Sequence, residues 1–347
     1  MLIADAHLDL AYNALRGRNL SLPASQQPAI HDRTPETATV GLPDLQQAGV
    51  GLVCGTIYCT PQSGERPGYV DHAGAFAQAG DQLAIYQRLW DQGRLRLVRS
   101  PADLPGSQAP TPEALAMILL IEGADAVALS SESDSASAAA WFDAGARMIG
   151  LAWGGTRYAG GTGAPGPLTA EGRRLVSELD AAGFVHDASH LAESSLDDLL
   201  GLGQRPICAS HSNCRAIVGE DPRGRHLADR HIRAITDRGG VIGIVLYDRF
   251  LLTPAELAKR RAGWSDVVRH IDHVSQLTGD CLHVGIGSDL DGGFGRENVP
   301  HELTSIADLP GLADALSAAG FGDEDVRRVM GANWLSFFRL ALPDTVR

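Results

Sequence analysis

Lysine is nearly absent from this chain: Lys259 is the only one among 347 residues, and the arginines form no basic cluster. The formal net charge is -13, so neither a nucleic-acid backbone nor an anionic membrane surface is an expected partner. No apolar run approaches the length that spans a bilayer. The stretch Met1-Leu-Ile-Ala-Asp5-Ala-His7 lacks a basic region, a long apolar segment and a small-residue cleavage site, so no secretion signal is visible. The five cysteines, Cys54, Cys59, Cys208, Cys214 and Cys281, show no CxxC spacing. An odd, scattered set suits buried small residues in a reducing cytoplasm better than a disulfide frame, so a cytoplasmic setting is expected.

Nucleotide motifs are missing too. The Gly-rich loop holding Gly154, Gly155, Gly160 and Gly161 lacks the Gly-Lys-Ser/Thr ending of a phosphate cradle. No GxGxxG follows the first apolar run, which argues against an open doubly wound sheet. What the chain does have is a strand-helix rhythm, and 44% apolar residues with which to build a large core. Strand-length apolar runs fall at 2–6, 51–58, 116–121, 147–152, 184–188, 206–210, 240–247 and 282–288. Helix-like segments lie between them at 71–92, 135–144, 168–182, 194–201, 229–237 and 264–277. Eightfold alternation in one chain predicts a (β/α)8 TIM barrel, a single catalytic domain over 1–347. An extra strand or connector is expected at 95–98, and closing helices at 309–319 and 323–342. Pro/Gly-rich segments at 60–70 and 154–167 each follow a strand and read as loops on the catalytic face.

The strand ends carry the chemistry. The first run ends in His7-Leu-Asp9; residues two apart on an extended strand face the same way, so both side chains would enter the barrel mouth. The third ends in Glu122, an acid costly to bury unless paired or metal-bound. The fifth offers His186 and His190, with His190 nearer its end, and the sixth offers His211. The eighth delivers Asp289 and Asp291 ahead of Gly292-Gly293. Each ending alone also reads as a satisfied buried pair or a solvated loop acid. Five in one order point instead to imidazole and carboxylate ligands of the kind divalent zinc prefers. Two metals sharing a water would lower its pKa and clamp an attacking oxygen. A bridging anion is then needed. Lys259 lies in a helix-like stretch and cannot supply the carbamylated lysine used for this purpose in many barrel hydrolases, which leaves Glu122. Of the other histidines, His31, His72, His231 and His301 read as solvated or loop-borne, and His270 and His273 as packing or surface residues. His283 begins a strand away from its catalytic end, and His186 is expected to pack outside the barrel wall.

These segments resemble the membrane dipeptidase (renal dipeptidase) family of zinc peptidases, peptidase family M19. The matching stretches are Asp5-Ala-His7-Leu-Asp9, Ile121-Glu122-Gly123, Asp187-Ala-Ser-His190, Ala209-Ser-His211-Ser-Asn213, Arg225-His-Leu-Ala-Asp229, Gly239-Gly-Val-Ile-Gly-Ile244, Gly287-Ser-Asp289-Leu-Asp291-Gly292 and Gly331-Ala-Asn333. The resemblance implies a metal-dependent barrel hydrolase with two zinc ions, one held by His7 and Asp9, the other by His190 and His211, with Glu122 on both. It implies that Asp289 is the general acid/base, taking a proton from the metal-bridging water and passing it to the departing amine. Arg225 matches the arginine that holds the substrate's free carboxylate, and Tyr247 a nearby pocket tyrosine. Substrates would be dipeptides, including those with a D-residue on the C-terminal side, and the assembly a homodimer.

The chain departs from the family in two places. Trp153, in Leu151-Ala-Trp153-Gly-Gly-Thr156, stands where the mammalian enzymes have a histidine that contacts the scissile carbonyl. An indole offers one donor and cannot become a cation, so oxyanion stabilisation would rest more on the metals. A longer spacing from His211 to Arg225 leaves Arg223 as an alternative carboxylate ligand. The C-terminal Ala341-Leu-Pro-Asp-Thr-Val-Arg347 is polar and short, with no lipid-anchor tail expected. The competing readings are another metal-dependent barrel hydrolase of amidase, lactonase or phosphoesterase type, and a non-catalytic barrel.

Overall fold

Eight short parallel strands stand in chain order around a barrel: β1 (Ile3–Leu8), β2 (Val50–Tyr58), β3 (Leu115–Glu122), β4 (Ala146–Gly150), β5 (Val185–Asp187), β6 (Ile207–Cys208), β7 (Ile242–Ile244) and β8 (Val284–Ile286). The computed structural model describes residues 1–31, 35–63, 67–106 and 114–344. Each strand coincides with one of the expected apolar runs. Their near-continuous apolar character follows from parallel pairing, because both faces are covered, the inner by the core and the outer by helices. Ladders join β1 through β6 in order, and β7 and β8 to β1. The last gap closes through one bridge, Ala209 to Ile242, where Gly243 N–H donates to Ala209 O at 2.8 Å. Leu95–Leu97 pairs in parallel beside β3 as an additional strand.

Two apolar layers result. Inside, Leu52, Cys54, Ile118, Leu120, Met148, Val185 and Cys208 form one cluster with Trp334, Phe337 and Phe338. Those aromatics belong to the final helix Asn333–Ala341, which plugs the barrel floor, and Trp334 Nε1–H donates to Ile286 O at 2.9 Å. Full burial of such a ring contributes roughly 4–6 kcal/mol before entropy is subtracted. The expected helix over 323–342 is interrupted: Asp323–Arg327 leads into a wide turn at Arg328–Ala332 before Asn333–Ala341 begins. The interruption serves packing, since a Cβ at Gly331 would stand 2.7 Å from Leu2 O.

Outside, the helices have recognisable local causes. Ala170–Ala182 begins at Thr169, whose hydroxyl accepts from Gly172 N, and stops at left-handed Gly183. Trp264–Thr278 turns Trp264, Val267, Val268, Ile271 and Val274 inward at helical spacing. Loops after β2, β3 and β4 gather on the rim at the strands' C-terminal ends. The segment 60–70 lies there except for 64–66, outside the described residues, as are 345–347 of the C-terminal stretch. No helix among the described residues is long and apolar enough to cross a membrane.

Candidate metal centre

Glu122 ends β3 at the middle of the rim, and Gly123 turns away from it with φ +87°, a conformation costly for any side chain. Its two oxygens face different partners. Oε2 lies 3.5 Å from His7 Nε2, while Oε1 lies 3.2 Å from His190 Nε2 and 3.3 Å from His211 Nε2. Asp9 Oδ1 and Asp289 Oδ1 stand 3.9 Å and 3.8 Å from His7 Nε2. Three overlapping sets have ligand atoms all within 4.8 Å of one another: His7, Asp9 and Glu122; Glu122, His190 and His211; and His7, His211 and Asp289. All six side chains expected at the centre are therefore brought to one place. The route differs from strict alternation for His7 and Asp9. The β1–β2 ladder slips register between Asp5 and Leu8, and Asp9 has left the strand to precede the helix Leu10–Leu15.

Hydrogen bonds on the far sides of the imidazoles fix which nitrogen faces inward. Ser210 Oγ lies 2.8 Å from His211 Nδ1, and Thr162 Oγ1 lies 3.0 Å from His190 Nδ1. Protons on those Nδ1 atoms leave the Nε2 lone pairs pointing at each other across 2.9 Å, beside a carboxylate oxygen. Two lone pairs and an anion at that range repel unless a cation sits among them. His7 Nε2 is fully buried and, among the described residues, has no well-formed hydrogen bond, only Glu122 Oε2 at 3.5 Å. Burial works to lower its pKa, yet Glu122, Asp9 and Asp289 hold it up at about 10. The same field that traps a proton on His7 would hold a divalent cation, with loss of that proton. His190 is pushed down to about 3 by burial and by the Arg225 charge, so it stays neutral and ligand-competent. Burial, with Asp9 and Glu122 adding to it, raises Asp289 well above the usual carboxylate range. The donor set of three imidazoles and three carboxylates fits borderline divalent metal ions.

Backbone strain concentrates here. Among the described residues, the non-glycine positions with positive φ are His190 (66°), Asp289 (57°) and Asp291 (66°), each costing about 1–3 kcal/mol and held by its surroundings. Gly292 is required, because a Cβ there would fall 2.0 Å from Asp289 Oδ1.

Arg225, not Arg223, is the buried guanidinium beside the centre. Its Nη2 donates to His211 O at 2.7 Å and its Nη1 to Ser212 Oγ at 3.1 Å, whereas Arg223 is exposed against Gly163. Tyr247 stacks on Phe294 at 4.4 Å and meets Phe250 edge-on at 5.0 Å. Trp153 stacks on the His190 ring at 5.5 Å and 30°, forming a wall above it. Lys259 is exposed in a turn after the helix Pro254–Leu257.

Asp291 does not join the centre. Its carboxylate accepts from Thr39 N–H (2.8 Å) and hydroxyl (2.7 Å) and pairs with buried Arg18, tying the 35–40 segment to the rim. His231 corrects the sequence reading: it is buried in the helix Asp229–Thr236, with Nε2 2.9 Å from Asp197 Oδ1. His186 does face outward, 2.8 Å from Asp180 on the helix behind β5.

Sequence reasoning assigned no role to four residues beneath the candidate ligands. Asp5 accepts from Ser288 N and Oγ at 2.8 and 2.5 Å, and Asp187 accepts from Ser210 N and Oγ at 2.8 and 2.5 Å. Thr56, also unassigned, hydrogen-bonds Asp9 through its hydroxyl. The available signal was Asp two or three residues before a ligand histidine, and Ser directly before His211 and Asp289.

A parallel barrel whose rim gathers carboxylates around paired imidazoles defines a metal-dependent hydrolase. Residues 1–341 match the family model for membrane dipeptidase (peptidase family M19), and the chain belongs to that family. It is a metallodipeptidase-class hydrolase. The "Uncharacterized protein in pqqA 5′region" of Klebsiella pneumoniae is 34% identical over 265 residues, 73% of this chain and 92% of that protein. The crystal structure of dipeptidase AC, a metallopeptidase of family M19, is 26% identical, covers 99% of both chains and superposes with a TM-score of 0.81. A Rhodobacter sphaeroides metallopeptidase liganded with a phosphinate mimic of the dipeptide L-Ala-D-Ala shares the fold at TM-score 0.81, with 24% identity over 98% of this chain and 99% of that one.

Proposed function

We propose that the chain is a binuclear zinc dipeptidase that hydrolyses the peptide bond of dipeptides, L-Xaa-D-Xaa among them. The observation that carries this reading is the division of Glu122: one oxygen toward His7, the other toward His190 and His211. A carboxylate so placed could serve two cation positions, with further imidazole and carboxylate groups beside each. His7 and Asp9 would hold one ion and His190 and His211 the other. When bound, the metals supply Lewis acidity and a water acidic enough to attack near neutral pH. Asp289, beside His7 and raised by burial, would hold and pass the proton that the departing amine needs. Arg225 would take the free C-terminal carboxylate, its charge directed by hydrogen bonds to His211 O and Ser212. Tyr247 would border the same end. Trp153 would exclude water over His190 without contributing charge. The Rhodobacter structure's L-Ala-D-Ala mimic supports extending the substrate class to D-residues. The family match over 1–341 supports one catalytic domain, and we extend the proposal to a homodimer in the cytoplasm.

The deciding experiment measures bound zinc per chain together with hydrolysis of matched L,L and L,D dipeptides and their C-terminal amides. Two zinc ions and a preference for the free carboxylate are expected. A single ion, or faster cleavage of substrates lacking the carboxylate, would replace this reading with another barrel hydrolase.

A further inference from the structure

A cavity of about 110 Å³ opens against Glu122 and remains without a role. Its volume is several times the ~10–15 Å³ that one water needs, enough for a side chain. Its walls come from the loops after β2, β3 and β4, with Cys59, Tyr69, Asp125, Trp153 and Thr156 among them. Among the described residues no arginine or lysine lines it.

Asp125 is the acid that the chemistry has not used. Its Oδ2 accepts the Tyr69 hydroxyl. Of the neighbouring cations, Arg157 gives Asp125 its backbone N–H and part of its charge but pairs its guanidinium with Glu132 and the Tyr158 hydroxyl, and His72 turns Nδ1 to the Asp125 backbone oxygen at 2.8 Å. Burial pushes the Asp125 carboxyl up, and an acid in that state gains from a cation brought to it.

The barrel's order decides which part of a dipeptide meets this cavity. Arg225 follows β6 and Tyr247 follows β7, whereas the cavity lies over β2 to β4; in an eight-strand ring β3 stands across from β7. With the C-terminal carboxylate on Arg225 and the peptide bond over Glu122, the first residue reaches toward the cavity. We propose that this cavity receives the side chain of the dipeptide's first residue, and that Asp125 selects side chains ending in a cation, lysine above all. Tyr69 and Trp153 supply aromatic walls for the aliphatic stem. The inference rests on the dipeptidase reading.

Three dipeptides with one common C-terminal residue and lysine, norleucine or glutamate in first position would be compared by kcat/KM in the wild type and in Asp125→Asn. The wild type should favour lysine over norleucine by about tenfold or more, the scale of a hydrogen bond to a buried charge, with glutamate last. Asp125→Asn should bring the lysine-to-norleucine ratio near one, mainly through KM. A wild-type ratio near one, or a variant that slows all three substrates equally, overturns the proposal. Should the variant fail to fold by circular dichroism, the wild-type ratio alone decides. Absence of any dipeptide hydrolysis sinks the dipeptidase reading, whereas hydrolysis without a side-chain ratio sinks only this inference.

Discussion

Ser210 clasps Asp187 twice, through its backbone N–H at 2.8 Å and its hydroxyl at 2.5 Å. With that hydroxyl's proton given to Asp187, its oxygen accepts from His211 Nδ1 at 2.8 Å, which turns the Nε2 lone pair into the centre. Ser288 and Asp5 repeat the clasp at another seam, between β8 and β1, where Asp5 also accepts from His7 N at 3.2 Å. Neither aspartate is in the candidate ligand sets; both hold strand ends that carry candidate ligands.

Ser210→Ala is therefore expected to weaken zinc binding by about 10–100-fold while leaving the fold intact. Competition against a chelator of known affinity measures this directly. An unchanged affinity would reduce Ser210 to a packing residue.

Asp289→Asn preserves shape and removes the proton carrier. A fall in kcat of about 10²–10⁴-fold is expected, with metal content retained. Metal analysis beside steady-state kinetics separates the two effects. Wild-type kcat in the variant would exclude Asp289 from proton transfer.

Removal of metal leaves Asp9, Glu122 and Asp289 crowded around His7 without a divalent charge between them. Chelation should abolish hydrolysis and lower the thermal midpoint, and zinc should restore both. At free zinc a thousandfold above Kd, the stabilisation regained is about 4 kcal/mol. Full activity after exhaustive chelation would contradict a metal-dependent reaction.

Asp291→Ala tests a distinction that adjacent sequence hides. Arg18 would lose its buried counter-charge and Thr39 its acceptor, at a cost of about 3–5 kcal/mol measured by chemical denaturation. Zinc stoichiometry should not change in protein that remains folded. A loss of metal without loss of stability would make Asp291 a ligand after all.

The amino-acid sequence alone determined the barrel and the positions of its strands. Parallel strands buried on both faces must be apolar throughout, so their beginnings and ends are legible as composition. The same logic singled out Glu122, His190, His211 and Asp289, because polar groups that interrupt apolar runs need a reason to be there. Tertiary structure decided the rest. His211 and Ser210 stand 21 and 23 residues from His190 and Asp187, and Ser288 stands 283 residues from Asp5, so only ring closure reveals which serine clasps which acid. Asp289 and Asp291 share a loop and a backbone conformation, yet one faces the imidazoles and the other a buried arginine. Local pattern records how the chain leaves each strand; the direction in which a side chain finds its counter-charge depends on neighbours brought there by the whole barrel.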